Sequence, residues 1–458
     1  MASRRDQLHS YQFMNQRVIS AFVMRETDPA QSPLRRGVGA LFGGLMVAVL
    51  ICAGFGIYGI LTRVGTDRWK TEGAVVVERE TGASFVYRGG QLNPTLNFAS
   101  AKLAAGRPNP QVFQVAAKSL AEVPRGVTIG IPGAPTSLPD SGRRAGLPWT
   151  VCAVPGDQPR SVLLVASAGP AGTDLGDRGL LAKDAALGMN YLVWHGRKHL
   201  VQDSRTTVPA LFGVVRSLPV GTAWLNAMPS GVDITAVAVT DRDKPSDKVP
   251  GRRNGDVLIA ATGSGDQYYL VLDDGLRPIT KLQQTVLNAR FPGTPIPVTV
   301  NAATQLPVSS RAGGDDPATQ PPAVPPALAG TNPGETVCAV TRNAAEPPSV
   351  SVGAAAAGLA GAVPTSATDR NGRALADAVL VPAGRFALVR VPGSGGYVVV
   401  TDLGIRYAVP TADALGMLGY PAASAVDVPT ALVSLVPAGV TLDPAAAANP
   451  VTGLSRTG

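Results

Sequence analysis

At 458 residues the chain is long enough for about three ordinary domains of ~150 residues each, so burying a sizeable core poses no difficulty. Gly (52) and Pro (40) make up about 20 per cent of it, above the ~12 per cent of average proteins, while aromatic residues are only 5 per cent, which disfavours a long helical bundle and implies turn-rich domains filled by Ala, Val and Leu. Forty basic residues against 32 acidic ones leave a charge of +8, too modest for this length to call for a nucleic-acid partner.

Residues 1–36 carry Arg4, Arg5, Arg17, Arg25, Arg35 and Arg36 against Asp6, Glu26 and Asp28. Within them Tyr11, Phe13, Met14, Val18, Ile19, Phe22 and Val23 recur near helical spacing, which predicts a short amphipathic helix lying either on the inner leaflet or against a partner. From Gly37 to Leu61 no charged residue occurs. Such a run makes about 37 Å of helix, enough to cross ~30 Å of hydrocarbon with some tilt. Arg35 and Arg36 stand at its edge, so the positive-inside rule puts the N-terminus in the cytoplasm and residues 62–458 outside. The apolar run starts too late for a cleaved signal peptide, and a retained anchor is expected. Gly43, Gly44, Gly54 and Gly56 would admit a close helix neighbour, although lipid packing explains them equally well.

Beyond the span a strand-like run ending in Gly recurs as SFVYRGG (84–90), YLVWHG (191–196), YYLVLDDG (268–275) and YVVVTDLG (397–404). A second phrase follows as LAEVPRG (120–126), LNAMPSG (225–231) and VSLVPAG (433–439). The intervals Gly90 to Pro124, Gly196 to Pro229 and Gly404 to Pro437 are 34, 33 and 33 residues, and Gly126, Gly231 and Gly439 close the second phrase. The Gly275 copy reaches only QLPV near Pro307 and reads as degenerate. Helix-capable stretches at 95–105 and 411–418 lie between the phrases, after Asn93, Pro94, Pro410 and Thr411.

Cys152 and Cys338 both lie outside, in the matching phrases WTVCAV and ETVCAV, which read as neighbouring strands of one sheet. An even pair in an oxidising compartment is expected to bond, and no Cys-x-x-Cys suggests exchange chemistry. Further β-like runs, SVLLVA (161–166), ITAVAV (234–239), DVLIAA (256–261) and FALVRV (386–391), are assigned to the same central sheet. Residues 308–334 contain six prolines without apolar periodicity, predicting an exposed linker, with a proline-rich partner ligand as the other reading.

The fold class is therefore a single-span bitopic membrane protein. Its α+β extracytoplasmic region has a disulfide-linked central β-rich domain flanked by four short α/β repeat modules. The expected boundaries are a cytoplasmic segment 1–36, the span 37–61, modules at 62–139, 191–231, 266–307 and 397–458, central parts at 140–190, 232–265 and 335–396, and the linker 308–334.

Catalytic signatures are missing. There is no Gly-x-x-x-x-Gly-Lys-Ser/Thr loop, and GPAGTDLG (169–176) lacks the lysine that would contact phosphates. His195 and His199 have i,i+4 spacing but follow a strand-like run without a His-Glu metal motif. Asp241, Asp243 and Asp247 alternate with Arg242, Lys244 and Lys248 and lack the terminal Glu of a calcium loop, so a solvated turn is expected. No Gly-x-Ser-x-Gly elbow occurs, and the GSG runs at 263–265 and 393–395 suit hairpin connections. No catalytic residue, metal or cofactor is expected.

The opening RRDQLHSYQFMNQRVISAFVMRETDPAQSP (4–33), the single span, WKTEGAVVVERETGASFVYRGGQLNPTLNFASAKLAAG (69–106), VPRGVTIGIPGAP (123–135), the two cysteine phrases and NPVTGLSR (449–456) together carry a specific likeness. Over essentially its whole length the chain resembles the EccB component of the ESX, or type VII, secretion machinery of mycobacteria and other actinobacteria, more particularly members outside the mycobacterial branch. The resemblance implies a structural subunit of an inner-membrane core complex with EccC, EccD, EccE, the mycosin protease and other EccB copies. It also implies that Cys152 and Cys338 are the family's disulfide pair, and that the proline-rich region and the terminal tail contact the protease or another copy. The family also carries an ATPase label, so an extracytoplasmic ATP-hydrolysing subunit is the alternative reading.

Overall fold

A computed structural model describes residues 3–25, 34–61, 67–311, 316–330, 332, 334–393 and 395–451, and the chain divides into two units, Met1–Lys70 and Thr71–Gly458. In the first unit a helix runs over Arg4–Met24, its first turn holding Asp6, whose carboxylate accepts the Ser3 N–H at 3.1 Å. An acid there suits the positive end of the helix dipole. Leu8, Tyr11, Val18 and Phe22 are exposed along it. The expected helix is present, but its single apolar face is not. At 100° per residue Phe13 lies opposite Phe22, and it too is exposed. A second helix spans Leu34–Leu61, three residues longer at its start than the uncharged run. Its portion Gly37–Tyr58 has a mean hydropathy of 2.4, and none of it is buried. Its backbone bonds are closed within the helix, as hydrocarbon requires.

The second unit is built around a seven-stranded sheet. Its strands lie in the order Val363–Pro364, Ala378–Leu380, Arg160–Leu164, Trp149–Val154, Thr336–Thr341, Ser349–Ala354 and Thr173–Asp174. Every residue of the two central strands is buried. Their side chains alternate between two cores: Trp149, Val151, Ala153, Val337 and Ala339 enter the largest one, while Cys152, Val154 and Cys338 point to the other face.

Four further sheets share one order of four strands, and the last of them has a fifth strand, Arg144–Ala145, parallel to Phe386–Arg390. The first contains Ala74–Glu78, Ser84–Arg88, Gln91–Pro94 and Val112–Val115; the second Leu180–Asp184, Asn190–Trp194, Arg197–Leu200 and Leu218–Val220. The third contains Val257–Thr262, Gly265–Leu272, Gly275–Ile279 and Ile296–Pro297; the fourth Phe386–Arg390, Tyr397–Val400, Arg406–Val409 and Val426–Asp427. In each, three antiparallel strands lead into a helix, and the last strand returns parallel to the first. A parallel return requires such a crossover helix. The helices are Phe98–Ala104, Ser204–Phe212, Lys281–Arg290 and Ala412–Leu418. Three start where a side chain takes up a free amide: Asn97 accepts from Ser100, Thr280 from Gln283 and Thr411 from Ala414. The first and fourth sheets share one core, in which Val75, Val86 and Leu103 meet Phe386, Leu415 and Tyr420.

Several expectations are corrected here. DVLIAA and FALVRV do not belong to the central sheet but open the shared four-strand pattern of the third and fourth of the further sheets. ITAVAV forms no strand, and only Ile234 bridges to Val201. The described part of 308–334 is not a free linker. Thr319 O accepts from Val232, Ala323 O from Leu282 and Ala327 O from Gly179, while the Ala329 N–H donates to Gly179 O, so residues 316–330 form a strap over the second and third sheets. The terminal tail as far as Val451 packs on its own chain. Ala447 lies in the core shared with Leu103, and the Val451 N–H donates to Thr128 O at 2.9 Å. The rest of NPVTGLSR falls outside the described residues. The 263–265 turn does join two antiparallel strands, and Asp241 sits in an exposed turn, 2.9 Å from Lys244 Nζ.

Candidate functional site

The cysteine phrases place Cys152 directly opposite Cys338 in the antiparallel register of the two central strands, with their Cα atoms 4.0 Å apart and the disulfide formed. Both residues are fully buried. The second and third sheets are threaded between them, so the bond closes a very long loop at the centre of the fold.

The recurring phrases meet in space. Leu92, Lys198, Leu276 and Arg406 each donate a backbone N–H to the carbonyl of Pro124, Pro229, Pro307 and Pro437, at 2.8 to 3.0 Å. Each then accepts, on its own carbonyl, the N–H of Gly126, Gly231, Ser309 or Gly439. A reciprocal pair of main-chain bonds thus clasps the edge of each sheet to the turn that follows its helix. Such pairing satisfies an exposed edge strand that would otherwise offer unpaired groups.

The Gly275 copy is not degenerate in this respect. Its turn is Asp273–Asp274, placed as Gly89–Gly90 and His195–Gly196 are in theirs, and Asp274 to Pro307 is again 33 residues. Gly275 itself is the first residue of the following strand. The sequence reading aligned the glycines, whereas the geometry aligns the turns. Gly90, Gly196 and Gly404 adopt φ of +75°, +70° and +71°. The side chains of Arg35 and Arg36 fall outside the described residues, although their backbone begins the spanning helix.

The i,i+4 histidines are kept apart. His195 Nε2 lies 2.9 Å from the exposed Asp177 carboxylate, while His199 is fully buried with its Nδ1 2.8 Å from Val232 O. Among the described residues no group of three His, Cys, Asp or Glu side chains is placed to hold a metal. A cleft of about 810 Å³ lies between the helices Ser204–Phe212 and Lys281–Arg290. Its cations are Arg205 and Arg290, and Arg290 Nη1 is 2.7 Å from Asp203. No lysine lines it, so the chief charge of a phosphate loop is missing from the cleft.

Two half-buried lysines escaped the sequence reading. Lys102 Nζ donates at 2.7 Å to Leu418 O, the last residue of the fourth sheet's helix, and so joins the first and fourth sheets. Lys198 Nζ donates at 2.8 Å to Leu225 O. Burial lowers the pKa of both, opposed by Asp140 for Lys102 and by Asp184 for Lys198. A cation at a helix C-terminus is favoured by the dipole. Nothing in the local pattern distinguishes Lys102 from a surface lysine, because its acceptor lies over 300 residues away. Lys102→Met keeps the apolar stem and removes a charge-assisted bond, so it is expected to lower stability by about 1.5–3 kcal/mol in urea unfolding. An unchanged midpoint would show that the bond does not join the two sheets.

Over residues 1–455 the chain matches the family Type VII secretion system ESX-1, transport TM domain B. It is 30% identical over 305 residues to the ESX-2 secretion system ATPase EccB2 of Mycobacterium tuberculosis, covering 63% of this chain and 59% of that protein. It is also 30% identical over 331 residues to the ESX-5 secretion system ATPase EccB5 of Mycobacterium marinum, covering 68% and 64%. The chain thus spans about three fifths of the length of the curated relatives it matches. Among solved structures it resembles a chain of an intact ESX-5 inner membrane complex, with a TM-score of 0.63 and 26% identity over 99% of this chain and 96% of that one. It also resembles the EccB3 dimer of the ESX-3 core complex, with a TM-score of 0.60 and 26% identity over 82% of this chain and 99% of that one.

Proposed function

The chain belongs to the EccB family of type VII secretion components, and on that premise we propose that it is a noncatalytic scaffold of an ESX inner-membrane complex, anchored by one span and carrying its large second unit outside the cytoplasm. The observation that carries this reading is the likeness along nearly the full length of both chains to a subunit of an intact ESX-5 inner membrane complex. A helix of membrane-spanning length, preceded by an arginine-rich segment, supplies the anchor.

In this proposal the four clasped sheets are copies of one repeat module. Gly90, Pro124, Gly126, Gly196, Pro229, Gly231, Gly404, Pro437 and Gly439 shape their turns, Gly275 opens the strand after its turn, and Arg35 and Arg36 set the orientation at the inner membrane edge. The disulfide-linked sheet is the central domain against which the modules are held. Each module takes its first strand from what a purely sequential division would give to the centre, at Leu180–Asp184, Val257–Thr262 and Phe386–Arg390. The proposed partners are EccC, EccD, EccE, the mycosin protease and a second copy of this chain. The dimeric state of the similar EccB3 favours the last of these.

The ATPase names of the relatives favour a second reading, an ATP-hydrolysing subunit. The scaffold reading expects the purified full chain in nanodiscs to show neither nucleotide binding nor ATP turnover above a protein-free blank. Turnover that co-purifies with the chain and saturates with ATP would establish the enzyme instead.

A further inference from the structure

We propose that His199 is a proton-operated latch: as a neutral imidazole it lets the strap 316–330 lie closed over the second sheet, and on protonation it drives the strap open. The ring is fully buried in the strand Arg197–Leu200, opposite Leu192. Its Nδ1 lies 2.8 Å from Val232 O, so the neutral ring donates there, and its Nε2 is buried with no hydrogen-bond partner. The next layer is the clasp turn. A Cβ on Gly231 would stand 2.2 Å from His199 Cε1 and 2.8 Å from Thr319 O, so ring, glycine and strap are stacked without a gap. The strap is tied at this point through the Val232 N–H, which donates to Thr319 O at 2.8 Å.

A second proton on the ring must sit on Nε2, where nothing accepts it. A buried cation without a partner is strongly disfavoured, and hydrating it requires the covering layer to move. The charged groups facing the ring are Arg197 on its own strand, which opposes protonation, and Asp233 beyond Val232, which favours it; the strap offers the neutral carbonyl of Thr319. Burial is the largest influence and holds the imidazole's pKa below its ordinary value; the bond to Val232 O opposes this, Arg197 adds to it, and Asp233 opposes it.

The closed state therefore binds fewer protons than the open state, whose solvated ring titrates near ~6.5. Closure is fully favoured above that pH and weakens as pH falls through it, by up to about tenfold per unit until the closed-state pKa is reached. The exposed His195 is paired instead with Asp177, 2.9 Å away.

The test is amide hydrogen exchange on the full chain in nanodiscs at pH 7.5 and 5.5, corrected for intrinsic rates. Protection of Val232, Gly179 and Ala329 is expected to fall by about tenfold at the lower pH. His199→Asn keeps a donor for Val232 O and is expected to abolish that dependence, while His195→Gln is expected to retain it. Equal protection at both pH values in the unmodified chain would overturn the latch, as would an undiminished response in His199→Asn or its loss in His195→Gln. Should His199→Asn fail to fold, histidine-labelled NMR of the unmodified chain decides, because ring protonation and strap opening must share one midpoint, and separate midpoints would refute the proposal.

Discussion

Replacing Cys152 and Cys338 together by alanine is expected to lower the stability of the second unit by about 2–5 kcal/mol. The bond joins the two innermost strands of the seven-stranded sheet across a sequence separation of 186 residues. In the chain-entropy account a loop of that size gives a contribution at the top of the usual range. The disulfide also fixes which strands are neighbours. Without it, pairing of Trp149–Val154 with Thr336–Thr341 must be found after the second and third sheets have formed, a contact of high sequence separation and correspondingly slow closure. Alanine is the appropriate substitute because both sites are fully buried, where a serine hydroxyl would add an unmet polar group. Urea unfolding of the chain in nanodiscs, followed by the fluorescence of buried Trp149, measures the change. A variant as stable as its parent would show that sheet packing alone orders the centre.

The second large effect is expected at Gly196. Its φ of +70° places it in the left-handed region, which costs a residue bearing a Cβ about 1–2 kcal/mol. A Cβ there would also stand 2.1 Å from Pro348 O and 2.9 Å from Pro347 Cβ. A backbone oxygen cannot rotate away, so either the hairpin of the second sheet or the segment entering Ser349–Ala354 must shift, adding roughly 1–3 kcal/mol. Gly196→Ala should therefore cost about 2–5 kcal/mol. Gly90→Ala provides the comparison, since it stands at the same turn of the first sheet with φ +75° but has no atom within 4 Å of its Cβ position. Its expected cost is only the conformational ~1–2 kcal/mol. Equal losses in the two variants would mean that the close approach of the second sheet to the central one contributes nothing.

These two sites mark the limit of what the sequence discloses. The disulfide was legible because WTVCAV and ETVCAV are near copies, and like phrases favour like surroundings. The first sheet's helix is capped by Asn97 and not by Asn93 or Pro94, which end a strand, whereas the span, the helix start at Thr411 and the spacing of the clasp turns were also local signals. Strand membership was not. FALVRV opens on four consecutive apolar, buried residues, a run that suits any buried strand, and its pairing with Tyr397–Val400 and the returning Val426–Asp427 places it in the fourth sheet rather than the central one. The strap was misread for a similar reason. A proline-rich segment has no apolar period, yet its carbonyls remain free to accept from Val232, Leu282 and Gly179. Asp274 in place of a turn glycine concealed the regularity of the third sheet, whose clasp lies in main-chain bonds that need no particular side chain.

The side chains that hold the unit together are largely unreactive: a disulfide, two lysines donating to carbonyls and a set of backbone clasps. This is the chemistry of a body that must keep its shape outside the cytoplasm. The measurement that tests the central claim most directly is purification of the native ESX membrane complex, with parallel assay of export, from cells with and without this chain. The account predicts that without it the inner-membrane complex does not assemble and export is lost, and that a copy truncated after residue 61 restores neither. A complex that assembles and exports normally in the absence of the chain would contradict the scaffold role.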